Sequence, residues 1–105
     1  MRICALVTDL FFKAKILQTA KLVEREVLFA ESIGEVSEAD LVIMDLEKFG
    51  ANTVLQLKKQ WPYAKIVGYL SHVQVDLKKE ALKNGCDLVL AKSEFSKQLK
   101  DILIG

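Results

Sequence analysis

The sequence predicts an α/β fold in which helices cover both faces of a parallel β-sheet. Five apolar runs of four or five residues recur along the chain, and segments with a helical spacing of apolar residues lie between them. The runs are too short for helices, and most lack the polar alternation of a strand with one solvent-exposed face. Strands that alternate with helices in this way favour a parallel sheet.

The five predicted strands are residues 3–7, 27–30, 41–44, 66–70 and 88–91. Their apolar composition is typical of strands that are buried on both faces. No internal repeat, linker or low-complexity tract interrupts the pattern, so we expect one domain over residues 1–105, with no output domain after Gly105. A chain of this length buries about 60 to 70% of its unfolded surface, which supports a core without disulfides or metal.

Two segments have the spacing of amphipathic helices. The first is residues 11–24, whose apolar face consists of Phe12, Ile16, Ala20 and Val23. The second is residues 52–61, whose apolar face consists of Val54, Leu57 and Trp61. Pro62 ends this second helix, because the residue before a proline is disfavoured in the α conformation.

Two more helices are predicted in the second half of the chain. Residues 76–84 begin at Asp76, a favourable N-cap, and end at Asn84-Gly85, where glycine can adopt the left-handed conformation. The last helix has Ser93 or Ser96 as its N-cap and an apolar face of Phe95, Leu99 and Ile102. Residues 32–39 leave space for only one or two helical turns.

Five strands and up to five helices therefore alternate along the chain. Right-handed crossover connections leave few arrangements of such a sheet. Among them we favour the flavodoxin-like doubly wound order 2-1-3-4-5.

The composition excludes several classes of protein. The chain carries 15 Lys and Arg against 14 Asp and Glu, and the basic residues are scattered, which argues against nucleic-acid binding. The apolar runs are far shorter than the roughly 20 residues of a membrane span, so a soluble, cytoplasmic protein is expected. Cys4, Cys86 and the single His72 are too few for a typical zinc site, and both thiols are expected to be reduced and buried.

Polar side chains follow four of the predicted strands at one edge of the sheet. Asp9, Asp45, Ser71 and Lys92 each stand at or just beyond a strand's carboxyl end, where ligands bind in open α/β sheets. Two carboxylates, a hydroxyl and an ammonium favour phosphoryl transfer. A hydrolytic triad is disfavoured, because Ser71 and its neighbour His72 point to opposite faces of a strand.

The runs ADLVIMD (39–45) and GCDLVLAK (85–92) look like the third and fifth strands of response-regulator receiver domains. The resemblance covers nearly the whole chain. It rests on the order of elements together with the positions Asp9, Asp45, Ser71, Gly85 and Lys92.

The resemblance implies that Asp45 takes a phosphoryl group from a phosphohistidine of a sensor histidine kinase or phosphotransfer protein. It implies a magnesium ion held by Asp9, Asp45 and the backbone carbonyl of Glu47. Lys92 would pair with Asp45 or with the phosphoryl group, and Ser71 would donate a hydrogen bond to a phosphoryl oxygen. Signalling would then pass through contact with a downstream protein.

The sequence departs from the family pattern at several positions. Thr8 stands where receivers usually have a second acidic residue, so magnesium affinity is expected to be weak. Val89 replaces the aromatic residue that usually reports phosphorylation, and Ser93 replaces a proline. The loop over residues 46–50 is short, and the second helix of the family is nearly absent.

Other interpretations of the same residues stay open. Asp9 and Asp45 are also good helix caps, so they and Lys92 could form a structural charge cluster in a pseudo-receiver, a phosphorylation-independent interaction or dimerisation module. A small enzyme is disfavoured, because the sequence has no base–nucleophile pair and no glycine-rich phosphate loop. A homodimer through the fourth and fifth helices is left open, although no large apolar stripe is visible there. His72 fits a loop residue better than a proton relay.

Overall fold

The structure is a computed structural model that describes residues 1–71 and 74–105. It contains one five-stranded sheet with the order β2-β1-β3-β4-β5, and every neighbouring pair of strands is parallel. The strands are β1 (Ile3–Leu6), β2 (Val27–Ala30), β3 (Leu41–Asp45), β4 (Lys65–Leu70) and β5 (Leu88–Ala91). The predicted fold class and strand order are confirmed.

Five α-helices and one 3-10 turn connect these strands in the described residues. The helices are α1 (Leu10–Leu22), α2 (Leu46–Phe49), α3 (Ala51–Gln60), α4 (Val75–Lys83) and α5 (Lys92–Ile104). The 3-10 turn, Ile33–Glu35, is all that lies between β2 and β3, as the shortness of that segment predicts. Gly85 has a φ of 110°, in the region that favours glycine, so the predicted end of α4 is also confirmed.

Two predicted N-caps are wrong. Helix α4 begins one residue early, so Gln74 is its N-cap and Asp76 lies inside the first turn, where its charge still favours the helix dipole. Helix α5 begins at Lys92, directly after β5, so Ala91 occupies the N-cap position, and both Ser93 and Ser96 are helical. Residues 46–50, expected as a loop, contain the short helix α2, which Asp45 caps.

The core consists of two layers, one on each face of the sheet, because successive strand residues point to opposite faces. Helices α2, α3 and α4 cover one face, onto which β1 and β3 direct Cys4, Leu6, Val42 and Met44. Helices α1 and α5 cover the other, onto which the same strands direct Ile3, Ala5, Leu41 and Ile43. Both cysteines are free and buried, and burial raises the pKa of each thiol.

Gly68 in β4 allows α2 to pack closely against the sheet. A Cβ atom at this position would lie 2.6 Å from Cδ1 and 2.7 Å from Cγ of Leu46, which is fully buried. Leu46 is the residue after Asp45. The missing side chain therefore helps to set where the chain turns after β3.

The register brings the ends of the strands to one edge. Asp45 pairs with Tyr69 across β3 and β4, and Tyr69 pairs with Leu90 across β4 and β5. Lys92 follows two residues after Leu90. No helix among the described residues is long and apolar enough to cross a membrane.

Candidate functional site

Asp9 follows β1 and is the N-cap of α1. Its Oδ1 accepts hydrogen bonds from the backbone N–H groups of Phe11, at 2.8 Å, and Phe12, at 3.2 Å. These are amide groups that the helix itself leaves without a partner. The carboxylate is thereby fixed at the carboxyl edge of the sheet, and within the described residues its Oδ2 accepts no hydrogen bond.

Asp45 ends β3 and is the N-cap of α2. Its Oδ1 accepts hydrogen bonds from the backbone N–H groups of Glu47, at 3.1 Å, and Lys48, at 3.2 Å. As at Asp9, no hydrogen bond to Oδ2 occurs among the described residues. Both aspartates therefore act as caps, and each keeps one oxygen available at the same edge of the sheet.

The side chain of Glu47 links the edge to the segment after β4. Its Oε1 accepts a hydrogen bond from the backbone N–H of Ser71 at 2.5 Å, and its Oε2 accepts one from Nε2 of Gln74 at 2.7 Å. The hydrogen bonds from Ser71 hold the pKa of this carboxyl below its usual range, and Gln74 and the charge of Lys92 act in the same direction. The family resemblance implies a role only for the Glu47 carbonyl, and no sequence signal marks the Glu47 side chain.

Lys92 is the first residue of α5, and its ammonium group lies over an aromatic ring. Nζ is 5.2 Å from the ring centroid of Phe12, which is a cation–π contact. Lys92 forms no ion pair with either aspartate in the part of the chain that the structure describes. The structure thus brings Lys92 to the edge where Asp9 and Asp45 stand, without joining it to them.

Tyr69 is a residue of this site that the sequence analysis did not identify. It is fully buried, and its ring stacks on Phe12 with centroids 4.8 Å apart and lies 4.9 Å from the ring of Phe95. Its hydroxyl oxygen is buried and has no hydrogen-bond partner among residues 1–71 and 74–105. Burial raises the pKa of Tyr69, and the charges of three carboxylates raise it further; these are Asp45, Asp9 and Glu47.

The sequence does contain a pattern that could have marked Tyr69 as a residue of this site. Tyr69 precedes Ser71 by two residues, so both belong to the same face of the strand. A phenol on a doubly buried strand needs a partner for its hydroxyl. Ser71 itself is partly buried at the end of β4, while His72, for which a proton relay was considered, lies outside the described residues.

The donors at this edge fit a magnesium ion. Carboxylates and a backbone carbonyl are hard oxygen ligands, and magnesium is often held in proteins by only one or two carboxylates. Asp9 and Asp45 each have one oxygen without a hydrogen bond from the described residues, and the carbonyl of Glu47 is the third predicted donor. The charges of Asp45, Asp9 and Glu47 all act on Tyr69 at this edge, and such a cluster of carboxylates favours a cation. Among the described residues no group of three or more His, Cys, Asp and Glu side chains is arranged to hold a metal.

Two cavities lie elsewhere on the molecule. The larger, of about 500 Å³, is lined by residues that include Arg2, Glu26 and Glu38. The smaller, of about 310 Å³, is lined by residues that include Arg2, Asp40 and Trp61. Both open beside the amino ends of the strands, and neither is lined by Asp9, Asp45 or Lys92.

Many solved structures with this fold are response-regulator receiver domains. A response regulator from Thermotoga maritima is 15% identical with a TM-score of 0.79, and the match covers 99% of this chain and 98% of that one. The signal receiver domain of an HD domain-containing protein from Pseudomonas fluorescens Pf-5 is 17% identical with a TM-score of 0.84, covering 98% of this chain and 90% of that one.

A response regulator from Burkholderia pseudomallei, solved with a phosphorylated aspartic acid, calcium ion and citrate, is 16% identical with a TM-score of 0.81. That match covers 97% of this chain and 65% of the other. No protein-family profile and no curated protein matches the sequence. The chain has the fold of receiver domains, so the resemblance seen in the sequence is confirmed for the fold.

Proposed function

We propose that this chain is a receiver-like signalling domain that accepts a phosphoryl group on Asp45. The proposal rests on the hydrogen bonding of the Asp45 carboxylate. One oxygen is held by two backbone amides of α2, and the other, at the carboxyl edge of the sheet, accepts no hydrogen bond from residues 1–71 or 74–105. A carboxylate fixed in this way has an orientation suited to nucleophilic attack.

The proposed donor is a phosphohistidine of a sensor histidine kinase or phosphotransfer protein. The free oxygen of Asp45 forms a bond to phosphorus, and the bond between phosphorus and the imidazole nitrogen breaks. The electron pair of that bond stays on the imidazole, which takes up a proton from solvent. Signalling follows through contact with a downstream protein or a second copy of this chain, and the location proposed is the cytoplasm.

The surrounding residues support this step. Asp9, Asp45 and the Glu47 carbonyl would hold magnesium, which neutralises charge on a transferred phosphoryl group. The ammonium of Lys92 can leave the Phe12 ring for a phosphoryl oxygen, because a charge-assisted hydrogen bond is stronger than a partly exposed cation–π contact. Ser71, whose main chain is tied to Glu47, is the proposed donor to another phosphoryl oxygen.

A second candidate function rests on the same geometry. Asp9 and Asp45 both cap helices, and Lys92 contacts an aromatic ring instead of a carboxylate. In a pseudo-receiver these side chains would hold the fold together, and the surface would bind its partner without phosphorylation.

One experiment separates the two candidates. The protein is incubated with acetyl phosphate and magnesium, and intact mass spectrometry measures a phosphate adduct. We expect an adduct on the wild type and none on Asp45→Asn, in which asparagine keeps the N-cap because it is an equally favoured capping residue. Asp101→Asn, at an exposed position of α5, is the matched control and should be labelled like the wild type.

Two results would contradict the proposal. One is an unmodified wild type under conditions that label a known receiver. The other is an adduct that persists on Asp45→Asn. The first result, together with a lack of magnesium binding, favours the pseudo-receiver.

A further inference from the structure

Among the described residues the buried hydroxyl of Tyr69 has no hydrogen-bond partner, although a buried hydroxyl normally needs one. The side chain is fully buried, and its oxygen forms no hydrogen bond with any described residue. Most buried side-chain polar atoms in proteins are paired, and an unpaired one calls for an explanation such as a ligand or a catalytic role.

Tyr69 lies next to the carboxyl edge of the sheet. Tyr69 and Asp45 are direct partners in adjacent strands, which lie about 4.8 Å apart in a sheet. The ring is held between Phe12 and Phe95, which belong to the first turns of α1 and α5. Three carboxylates of this edge raise the pKa of the hydroxyl; they are Asp45, Asp9 and Glu47.

Toward ionised carboxylates a hydroxyl can act only as a donor. A phosphoryl group on Asp45 adds three strong acceptor oxygens and extends beyond the carboxylate itself. Because stacking already holds the phenol in place, little further ordering is needed when such an acceptor arrives.

We propose that Tyr69 is a phosphoryl-binding residue of this site, whose buried hydroxyl donates a hydrogen bond to the phosphoryl group on Asp45. The inference rests on the proposed function, because it needs that group on Asp45. Tyr69 would then be a third donor to the phosphoryl group, beside Lys92 and Ser71. Its ring lies between Phe12 of α1 and Phe95 of α5.

The test uses beryllofluoride, a mimic of a phosphoryl group on a carboxylate, with magnesium present. Isothermal calorimetry compares the wild type with Tyr69→Phe, which removes only the hydroxyl. Hydrogen bonds to charged groups contribute enough that we expect roughly 10-fold or greater weakening of binding. Tyr63→Phe, at a side chain that is 99% exposed, is the matched control and should bind like the wild type.

A second measurement does not depend on how Tyr69→Phe folds. The chain has two tyrosines, so Tyr69 is the only one left in Tyr63→Phe. Labelling this variant with tyrosine carrying ¹³C at Cζ gives one NMR signal, which reports whether the hydroxyl donates a hydrogen bond. We expect this signal to shift when beryllofluoride binds.

The outcomes are distinct. If the wild type binds beryllofluoride while Tyr69→Phe binds equally well and the Cζ signal does not move, the role of Tyr69 is wrong and the proposed function stands. If the wild type binds no beryllofluoride, the proposed function fails and the inference fails with it.

Discussion

At the scale of single residues, the unpaired hydroxyl of Tyr69 makes a prediction about the stability of the unmodified protein. A buried polar group without a partner costs about 1 to 3 kcal/mol. Tyr69→Phe removes that group and keeps the ring contacts with Phe12 and Phe95. We expect the free energy of unfolding in urea to rise by about 1 kcal/mol.

The control for this prediction is again Tyr63→Phe, because the Tyr63 side chain is in solvent. Its stability should stay within about 0.5 kcal/mol of the wild type. A loss of stability in Tyr69→Phe would mean that the hydroxyl has a partner in the free protein.

Glu47 makes a prediction about pH. Because hydrogen bonds from Ser71 lower the pKa of this carboxyl in the folded chain, its contribution to stability is fully present above the pKa of a free glutamate, about 4.3. That contribution is lost as the pH falls through the lower folded value. Glu47→Gln should therefore be less stable than the wild type at neutral pH, and the difference should shrink in acid.

Urea unfolding over a pH series measures this difference. Glu80→Gln is a suitable control, because Glu80 is an exposed residue of α4 whose side chain forms no hydrogen bond or ion pair with the described residues. A gap between Glu47→Gln and the wild type that stays constant down to about pH 3 would show that the charge of Glu47 is not what matters.

The contact partners of individual side chains were the feature that the sequence predicted least well. The strand ends identified Asp9, Asp45 and Lys92, because parallel strands bring their carboxyl ends to one edge. The partners of those side chains depend on which helix packs beside them. The contact of Lys92 with Phe12 and the bonds of Glu47 with Ser71 and Gln74 join distant parts of the chain, so no local pattern indicates them.

At the scale of elements, the packing of α2 on β4 depends on Gly68. Alanine there would place its Cβ 2.6 Å from Cδ1 and 2.7 Å from Cγ of Leu46, whose side chain is fully buried. Overpacking of this kind costs about 1 to 3 kcal/mol, and we expect Gly68→Ala to lose that much stability.

Urea unfolding again measures the loss, and Gly34→Ala is the matched control. A Cβ on Gly34 meets nothing within 4 Å. Its substitution should be neutral or stabilise by about 0.4 to 1 kcal/mol, because alanine restricts the unfolded chain. Equal stabilities for the two variants would show that Leu46 has room to move.

The predicted elements differ from the observed ones for identifiable reasons. All five strands were visible because each run of four or five residues is largely apolar and contains no charged residue. Helix α2 was missed because its four residues are too few to show a period. The capping serines predicted for α5 failed because the helix starts directly at the end of β5, so its first residue is set by the sheet and not by a local cap.

At the scale of the whole molecule, charge is balanced overall but uneven in space. The formal net charge is +1, yet the carboxylates of Asp9, Asp45 and Glu47 all act on Tyr69 at the carboxyl edge. A ligand that binds only the folded chain stabilises it by mass action. Magnesium at 10 times its dissociation constant should thus raise the free energy of unfolding by about 1.4 kcal/mol.

The double variant Asp9→Asn, Asp45→Asn tests whether this edge is responsible. Both helix caps remain, because asparagine is as good a cap as aspartate. Magnesium should then give no rise in the thermal midpoint beyond that caused by sodium chloride of equal ionic strength. An undiminished response would place the bound ion elsewhere.

The start of α5 at Lys92 has a mechanical consequence. The main chain of this residue is part of a 13-residue helix, so its Cα cannot swing as it would on a loop. Only rotation about the side-chain bonds can carry the ammonium away from the Phe12 ring. An exchange of partners at this half-buried lysine is therefore a change of side-chain rotamer, and it requires no rearrangement of the backbone.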